Sequence, residues 1–275
     1  MIPVHNRVDQ TLRCLRSLMA GTVPTTAVVV DDGSTDGTDR AVAQHHPEAI
    51  VLHGDGTLWW AGATNLGVAY ALARGADYVL TLNNDGVLAP DAVEALLESE
   101  RTGGPALRCS ARHHLDRPDV RRDVGIVIDW DLPKGYRRLR TGGAQPVRVD
   151  ATGANAMLVP RRCFEETGLF DAERLPQCFA DWDFQLRAKA RGWSMYTVPA
   201  SVLFEDRSTV GPRRERRMSL GQAVRLVRSP RSPSYPPFTW RFFRRHAPPD
   251  RVVSLVLGRY GRLAKSVVLH HLRFP

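Results

Sequence analysis

Residues 27–38 have the sequence Ala-Val-Val-Val-Asp-Asp-Gly-Ser-Thr-Asp-Gly-Thr, a β-branched run followed by two acids and a series of turn-forming and helix-capping residues. This order is typical of a strand, a loop and the start of a helix. The same unit recurs, because residues 50–53 and 78–82 predict strands and residues 64–74 predict a helix between them. Alternating strands and helices imply an α/β fold with a mostly parallel, twisted sheet covered by helices on both faces.

Other segments extend this outline. Apolar residues at helical spacing, helix-initiating prolines and a terminal glycine, Gly192, predict helices over residues 8–19, 91–100, 160–167 and 183–191. Residues 156–159 predict one more strand. Residues 103–149 are rich in Arg and Asp and have few periodic signals, so we expect irregular strands and loops there.

The composition is that of a globular protein, with 275 residues, of which 43% are hydrophobic and 24% charged. Disordered and fibrous classes are therefore excluded. No apolar run approaches the roughly 20 residues that span a bilayer, and the N-terminal residues lack the pattern of an export signal. The four cysteines, which form no CxxC pair, favour reduced thiols over disulfides or a zinc site. We expect a cytoplasmic protein.

The charge is unevenly distributed. The net charge is +9, but residues 207–275 contain 16 basic and 2 acidic residues, whereas residues 1–206 contain 22 basic and 27 acidic ones. Proline-rich breaks separate short amphipathic helices in this C-terminal extension, for example over residues 252–270. Such a basic extension either contacts an anionic partner or is simply solvated.

One part of the extension, residues 240–246 (Trp-Arg-Phe-Phe-Arg-Arg-His), interleaves aromatic residues with arginines; we call it the aromatic–arginine segment. This pattern suits peripheral contact with an anionic membrane, because the rings enter the interface while the arginines stay with the phosphates. The alternative is that the rings pack the extension onto the rest of the chain, and the two roles are compatible. We expect no nucleic-acid partner, since no nucleic-acid-binding motif accompanies the charge.

Acidic residues follow two of the predicted strands, where α/β sheets bind ligands. Asp31 and Asp32 end one strand, and their carboxylates could accept hydrogen bonds from a base or a ribose. A calcium loop beginning at Asp32 is disfavoured, since its twelfth position is Ala43 and not Glu. Residues 83–85 (Asn-Asn-Asp) end another strand and suit Mg²⁺ or Mn²⁺ shared with a phosphate, or a plain turn.

Two further carboxylates, Asp181 and Asp183, stand at the start of a predicted helix. In a structural interpretation they stabilise the helix N-terminus, and Asp183 pairs with Arg187 at i,i+4. In a functional interpretation, a carboxylate fixed in this place is a positioned general base. Spacing alone does not separate the two.

Seven motifs in order make the chain resemble a family 2 glycosyltransferase of the GT-A fold, nearest to a bacterial rhamnosyltransferase-like branch. They are residues 2–7 (Ile-Pro-Val-His-Asn-Arg), 30–38 (Val-Asp-Asp-Gly-Ser-Thr-Asp-Gly-Thr), 62–67 (Gly-Ala-Thr-Asn-Leu-Gly), 82–85 (Leu-Asn-Asn-Asp), 153–159 (Gly-Ala-Asn-Ala-Met-Leu-Val), 168–171 (Gly-Leu-Phe-Asp) and 181–187 (Asp-Trp-Asp-Phe-Gln-Leu-Arg). The resemblance implies a GT-A catalytic domain over residues 1–206, with a donor half (1–102) and an acceptor half (103–206), followed by the helical extension 207–275.

The resemblance also implies the chemistry, an inverting transfer of a sugar from a nucleoside diphosphate donor to a hydroxyl, with Mg²⁺ or Mn²⁺. Asp181 matches the catalytic base, and Asp85 matches the metal-binding acid. The residues expected at the donor are Pro3, Asn6, Asp31, Asp32, Asn65, Asn83 and Asn84, and further candidates for the site are Asp183, Glu205 and Asn155. The Gly62–Gly67 stretch is expected to pass close to the donor.

Some positions depart from the family pattern. Asn83 replaces the first acid of the DxD motif, Ala180 replaces the Glu before the catalytic Asp, and Glu205 or Asp206 stands where relatives often have a metal-site His. The branch favours dTDP-L-rhamnose as donor, with a UDP-hexose second, and the acceptor is a glycan, a lipid-linked or a small-molecule hydroxyl. A catalytically decayed adaptor remains the alternative. A sugar nucleotidyltransferase is disfavoured, because residues 8–11 lack a glycine-rich basic loop.

Overall fold

A computed structural model describes residues 1–120, 124–139, 143–206 and 218–271. Its strands are β1 (Ile2–Val4), β2 (Val28–Asp31), β3 (Ile50–His53), β4 (Tyr78–Thr81), β5 (Gly86–Leu88), β6 (Leu107–His114), β7 (Gly125–Ile128), β8 (Tyr136–Leu139), β9 (Val147–Arg148), β10 (Met157–Pro160) and β11 (Met195–Glu205). Its helices are α1 (Val8–Met19), α2 (Thr38–His45), α3 (Trp59–Ala73), α4 (Ala92–Gly103), α5 (Arg161–Thr167), α6 (Ala180–Ala190), α7 (Leu220–Arg228), α8 (Pro236–His246) and α9 (Pro249–His271).

The strands form the α/β sheet that the sequence predicts. β1, β2 and β3 pair in parallel, and hydrogen bonds of Met1 with Leu80 (2.7 Å) and Leu82 (3.0 Å) join β1 to β4. β10 lies antiparallel between β4 and β6, and β6 pairs in parallel with β11. β5 and β9 run antiparallel to β11, while β7 and β8 form a separate hairpin. The carboxyl ends of β1 and β2 therefore meet at one edge.

Helix α3 begins five residues before the predicted start and includes the Gly62–Gly67 stretch. A Cβ atom at Gly67 would lie 2.7 Å from Met1 Cε and 3.1 Å from Val30 Cγ2. The absence of a side chain there lets α3 approach β1 and β2 closely. At Gly67 the glycine is explained by packing of the helix onto the sheet.

The expectation of irregular structure over residues 103–149 is wrong for β6, an eight-residue strand in the interior of the sheet. Its polar residues hide the strand pattern, since Arg108 is only 1% exposed. The guanidinium of Arg108 donates to Ser99 Oγ (3.0 Å) and to the carbonyl oxygens of Gly104 (2.7 Å) and Ala106 (3.2 Å). A buried arginine can occupy a core strand when its guanidinium has hydrogen-bond acceptors, here three of them. Because arginine is counted as polar, the hydropathy pattern does not reveal such a strand.

The C-terminal extension is helical where it is described, and α8 packs against α6. Phe242 is 2% exposed, and its ring stacks on Phe179 at 4.7 Å between centroids and contacts Trp182 at 6.2 Å. Phe243 is also buried, whereas Trp240 remains 42% exposed. The two phenylalanines of the aromatic–arginine segment, Phe242 and Phe243, therefore pack onto the rest of the chain, which is one of the two alternatives for this segment. Residues 207–217 and 272–275 of the extension lie outside the described residues.

Replacing Phe242 with Leu is expected to lower the free energy of unfolding by about 1–2 kcal/mol, because the variant loses the ring pairs and leaves a small cavity. Urea denaturation followed by circular dichroism measures the change. Trp240→Leu is the matched control on the same helix, and it should change stability by less than about 0.5 kcal/mol. Equal effects of the two substitutions would contradict the packing of α8 onto α6.

All four cysteines are free thiols in this structure. Burial raises the pKa of Cys14, Cys109, Cys163 and Cys178 to about 12, so these thiols are protonated and unreactive at neutral pH. Among the described residues, no helix has the length and the apolar character needed to cross a membrane.

Candidate active site

The loops after β1 and β2 are joined by hydrogen bonds. The amide N–H of Asn6 donates to Ser34 Oγ (2.7 Å), and the amide N–H of Thr35 donates to Asn6 Oδ1 (2.9 Å). Pro3 lies within β1 opposite Val30 of β2. The structure thus brings Pro3 and Asn6 to the same edge of the sheet as Asp31 and Asp32. We call this edge the donor corner.

The two acids of the donor corner are both buried, Asp31 being 3% and Asp32 6% exposed. Asp31 Oδ1 accepts a hydrogen bond from the amide of Ser34 (2.8 Å). Asp32 accepts from the amides of Gly56 (2.8 Å, to Oδ1) and Trp59 (3.0 Å, to Oδ2). Each carboxylate therefore fixes the loop beside it. Asp32 Oδ1 also accepts from the Leu58 amide (3.3 Å), so its two lone pairs are used, whereas Asp31 Oδ1 and Asp32 Oδ2 each keep a second lone pair that could meet a base or ribose. Their contact with a nucleotide stays a prediction.

The side chains after β4 are held at several points. Asn83 Oδ1 accepts from Trp60 Nε1 (2.8 Å), and the Asn83 amide donates to Asn155 Oδ1 (2.9 Å). Asn84, which is buried, donates from Nδ2 to Thr11 Oγ1 (3.1 Å). The carbonyl oxygen of Asp85 accepts from the Asp206 amide (3.0 Å), so the loop with Asp85 lies beside the end of β11. We call this the metal corner.

The carboxylates of the metal corner do not form a cation site made of protein ligands alone. No group of three His, Cys, Asp or Glu residues within the described part of the chain is arranged to hold a metal ion. Asp206 forms an ion pair with Arg13 (2.7 Å), and Glu205 lies 3.9 Å from Arg112. Mg²⁺ commonly binds through one or two carboxylates together with waters and substrate phosphates. Asp85 fits a cation site of this shared kind.

Asp181 lies in the first turn of α6, directly after Phe179 and Ala180. The amide of Trp182 donates to Asp181 Oδ1 (2.9 Å). Burial raises the pKa of the Asp181 carboxyl to about 6, although backbone hydrogen bonds and the charge of Arg112 act in the opposite direction. A carboxyl with this pKa is ionised at neutral pH and is still basic enough to take a proton.

Polar contacts extend from the metal corner to Arg112, whose charge acts on Asp181. Asn155, which accepts from the Asn83 amide, donates from Nδ2 to Glu205 Oε1 (3.1 Å). Glu205 in turn lies near Arg112, whose Nη2 donates to Thr152 Oγ1 (3.1 Å). The charge of Arg112 acts on Asp181. Asp181 and the metal corner therefore belong to one electrostatic environment.

Two residues of this site, Arg112 and Trp60, were not predicted from the sequence. Arg112 lies in the Arg-rich stretch 103–149, where nothing distinguishes it from neighbouring arginines. Trp60 adjoins the glycine-rich motif at residues 62–67, which was expected to pass close to the sugar donor. An indole N–H so near this motif is the sequence feature that could have pointed to Trp60.

Asp183 has a structural position. Its side chain is fully buried, and it accepts hydrogen bonds from Arg187 Nε (2.8 Å), Arg245 Nη1 (2.8 Å) and His246 Nε2 (2.9 Å). Burial alone would raise the pKa of Asp183, but the bonds from His246, Arg245 and Arg187 outweigh it and hold the pKa well below its usual range. The predicted i,i+4 pair with Arg187 is confirmed. Asp183 thus anchors α6 to α8 and does not face a cleft.

Asn65 has a protein partner at each end of its amide group. Nδ2 donates to the Phe170 carbonyl (2.8 Å), and Oδ1 accepts from the Phe170 amide (3.0 Å). Asn65 therefore ties α3 to the segment after α5. The expected contact of Asn65 with the sugar donor stays a prediction.

Backbone strain concentrates around the two corners and Asp181. Among the described residues, those other than glycine with positive φ are Asn6, Arg7, Trp59, Ala156 and Phe179. They lie after β1, at the start of α3, before β10 and before α6, in the loops that carry the predicted site residues. Such conformations cost about 1–3 kcal/mol each and persist where the surroundings impose them, often at functional sites.

Sequence comparison identifies relatives of this chain. The model of the family described as Glycosyl transferase family 2 matches residues 1–160. The N-acetylglucosaminyl-diphospho-decaprenol L-rhamnosyltransferase of Mycobacterium tuberculosis is 29% identical over 227 residues, which are 72% of this chain and 73% of the relative. The undecaprenyl-phosphate mannosyltransferase of Micrococcus luteus is 27% identical over 173 residues, 55% of this chain and 69% of the relative.

Solved structures share the fold. GalNAc-T7 with UDP, GalNAc and Mn²⁺ superposes with a TM-score of 0.62 at 16% identity and covers 98% of this chain. TarS of S. aureus gives a TM-score of 0.58 at 14% identity, also over 98% of the chain. The chain spans about half the length of these two proteins, 55% and 53% respectively. From its motifs, its sheet and these similarities, the chain belongs to glycosyl transferase family 2 and has the GT-A fold.

Proposed function

We propose that this chain is an inverting glycosyltransferase that moves a sugar from a nucleoside diphosphate to an acceptor hydroxyl, with Asp181 as the general base. The observation that carries the proposal is the place of Asp181 in the first turn of α6, where the Trp182 amide holds its carboxylate and burial raises the pKa of that carboxyl to about 6. A hydroxyl is a poor nucleophile until its proton is removed, and a fixed carboxylate with this pKa can remove it at neutral pH.

The proposed reaction is a single displacement. Asp181 takes the hydroxyl proton while the acceptor oxygen bonds to the anomeric carbon and the bond from that carbon to the diphosphate breaks. The nucleoside diphosphate leaves with the bonding electron pair, and the anomeric configuration is inverted. No covalent sugar–enzyme intermediate forms, in contrast to retaining glycosidases.

The donor corner is proposed to bind the nucleoside. Pro3 of β1 and Asn6 in the loop after it line one side. Asp31 at the end of β2 and Asp32 directly after it line the other, where hydrogen bonds from backbone amides keep the carboxylates in place. Loops already held by these hydrogen bonds would need little ordering when a nucleotide binds. At the metal corner, Asp85 would hold Mg²⁺ or Mn²⁺ beside Asn83 and Asn84. When bound, such an ion stabilises the charge that develops on a diphosphate leaving group.

The sugar and the acceptor are proposed from similarity. The M. tuberculosis relative is named as an L-rhamnosyltransferase acting on a decaprenol-linked diphosphate sugar, which favours L-rhamnose from dTDP-rhamnose and a lipid-linked glycan acceptor. A hexose from a UDP-sugar is the second candidate. A cytoplasmic location suits a donor of this class.

A thermal-shift panel tests the donor proposal. UDP, dTDP, GDP and ADP are each added with and without Mg²⁺ or Mn²⁺, since a ligand at 100 times its dissociation constant stabilises the fold by about 2.7 kcal/mol. We expect a metal-dependent shift with dTDP or UDP. The absence of a shift with all four nucleotides would contradict an intact donor site and favour the decayed-adaptor alternative.

Replacing Asp85 with Ala is expected to weaken metal-dependent binding of the stabilising nucleotide roughly tenfold or more, because the ion loses its protein carboxylate. Calorimetric titration of the nucleotide with and without Mn²⁺ measures the effect. Asp91→Ala is the control, since it removes an exposed carboxylate from the start of α4. A variant at Asp85 that keeps the full effect of the metal would contradict this residue's role.

A further inference from the structure

Helices α7 and α9 leave an apolar surface uncovered between them. A groove of about 370 Å³ runs between the two helices, lined mainly by aliphatic side chains that include Leu220, Val224, Val227, Leu263 and Val268. Leu220 is 62% exposed and Val268 54%. Soluble chains rarely leave contiguous apolar surface open to water unless it binds something.

The apolar surface continues along α9. Val253, Leu257, Gly261, Ala264 and Val268 follow one another at intervals of three or four residues, which places them on one side of the helix. Val253 is 55% and Leu257 65% exposed. The buried residues Val252 and Leu255 pack α9 against the protein from another side of the helix, while Leu263 packs α9 against α7 at the groove. We call the exposed stripe and the groove together the α7–α9 face.

The charge around this face is positive. Residues 218–271 contain nine Arg and one Lys against a single acid, Asp250. Arg225 and Arg228 of α7 and Lys265 of α9 are exposed on the two helices that form the groove. An apolar stripe with cations on the same helices complements a surface that offers acyl chains and phosphates together.

We propose that the α7–α9 face binds an anionic lipid surface, with α9 lying in the plane of the membrane interface. At 1.5 Å per residue, α9 is about 34 Å long, so Val253, Leu257 and Val268 would enter the boundary of the acyl chains together. Arg225, Arg228 and Lys265 would contact the lipid phosphates. This proposal goes beyond the proposed transferase function and does not depend on it.

The face differs from the aromatic–arginine segment that the sequence suggested for this contact. In that segment Phe242 and Phe243 are buried, and Arg245 and His246 bind Asp183. These side chains hold α8 on α6, so they are not available to a membrane. The α7–α9 face, in contrast, has its apolar side chains exposed.

Co-sedimentation of the full chain with vesicles tests the proposal. Vesicles of phosphatidylcholine alone are compared with vesicles that contain phosphatidylglycerol, at low and high salt. We expect binding to the anionic vesicles and weak binding to the neutral ones. The double variant V253E/L257E should partition about tenfold or more weakly, because two charges enter the apolar stripe. V120E is the matched control, since Val120 is 42% exposed in the loop after β6.

Two further measurements keep the result decisive. The midpoints of urea denaturation show whether each variant folds. The double variant R225Q/R228Q keeps the apolar stripe and should lose the preference for anionic vesicles. Equal binding by the parental chain and V253E/L257E would overturn the proposal. A second result would also overturn the proposal. If the parental chain does not bind vesicles but forms a dimer, and V253E/L257E is monomeric, then the α7–α9 face joins two copies of the chain. None of these readouts requires sugar transfer.

Discussion

Asp181→Asn is expected to lower the rate of sugar transfer by about 10²–10⁴-fold, since the amide has nearly the same shape as the carboxyl but takes no proton. Binding of the nucleoside diphosphate should change little, because the donor corner is built from other loops. The rate at saturating donor and the thermal shift with nucleotide are measured on the same preparation. Asp91→Asn is the control. A variant at Asp181 that keeps most of its rate would show that another group removes the proton.

The pKa of Asp181 adds two results that a purely structural residue would not give. Only the ionised carboxyl acts as a base, so the parental rate should rise with pH through about 6 and then level off. The folded chain also keeps the proton to higher pH than the unfolded chain, where the pKa is about 3.9. The contribution of Asp181 to stability therefore falls between pH 4 and 6 as the pH rises.

Asp181→Asn removes this ionisation. Above pH 6 the variant avoids a buried charge, so its urea midpoint should equal or exceed that of the parental chain although it is inactive. Urea denaturation at pH 5 and pH 8 makes the comparison. A variant that is both inactive and unstable at pH 8 would mean that Asp181 supports the fold of α6, contrary to its assignment as the base.

Much of the fold follows from local pattern. The apolar spacing of residues 8–19 predicts α1 with its observed bounds, and the β-branched run at residues 27–32 contains β2. The signal for α1 is strong because this helix buries one face, and the signal for β2 is strong because this strand is buried throughout. The start of α3 was not predictable in this way, since it depends on Trp59 at φ 56° and on amides held by Asp32 from another loop.

The candidate site shows what spacing does not resolve. Asp181 and Asp183 stand two residues apart at the same helix start. From the sequence alone, either of them could stabilise the helix N-terminus or act as a general base. The structure separates them through distant partners, since Arg245 and His246 come from α8, more than 60 residues along the chain. A residue's role here depends on which side of α6 the extension covers, and local sequence does not contain that information.

Asp183→Asn is expected to lower the free energy of unfolding by about 3–5 kcal/mol, because it removes one partner from a buried group of charges. Arg187 and Arg245 would stay partly buried with their shared carboxylate gone. Urea denaturation at pH 7 measures the loss. Glu165→Gln, which removes an exposed ion pair on α5, is the control and should cost less than about 1 kcal/mol.

The pH dependence of this loss has a definite sign. The pKa of Asp183 lies well below its usual value in the folded chain, so its contribution is complete above pH 4 and declines as the pH falls below that. The difference between the parental chain and Asp183→Asn should therefore narrow in acid.

Arg245→Gln tests the same contact from the side of the extension. It should reproduce much of the loss, because Arg245 binds both Asp183 and Asp171 at 2.8 Å. If Asp183→Asn costs no more than Glu165→Gln, the contact does not hold α8 on α6. If both variants at the contact are destabilised and also transfer sugar more slowly with unchanged nucleotide binding, the extension positions the helix that carries Asp181, and the boundary at residue 206 does not separate catalysis from the rest of the chain.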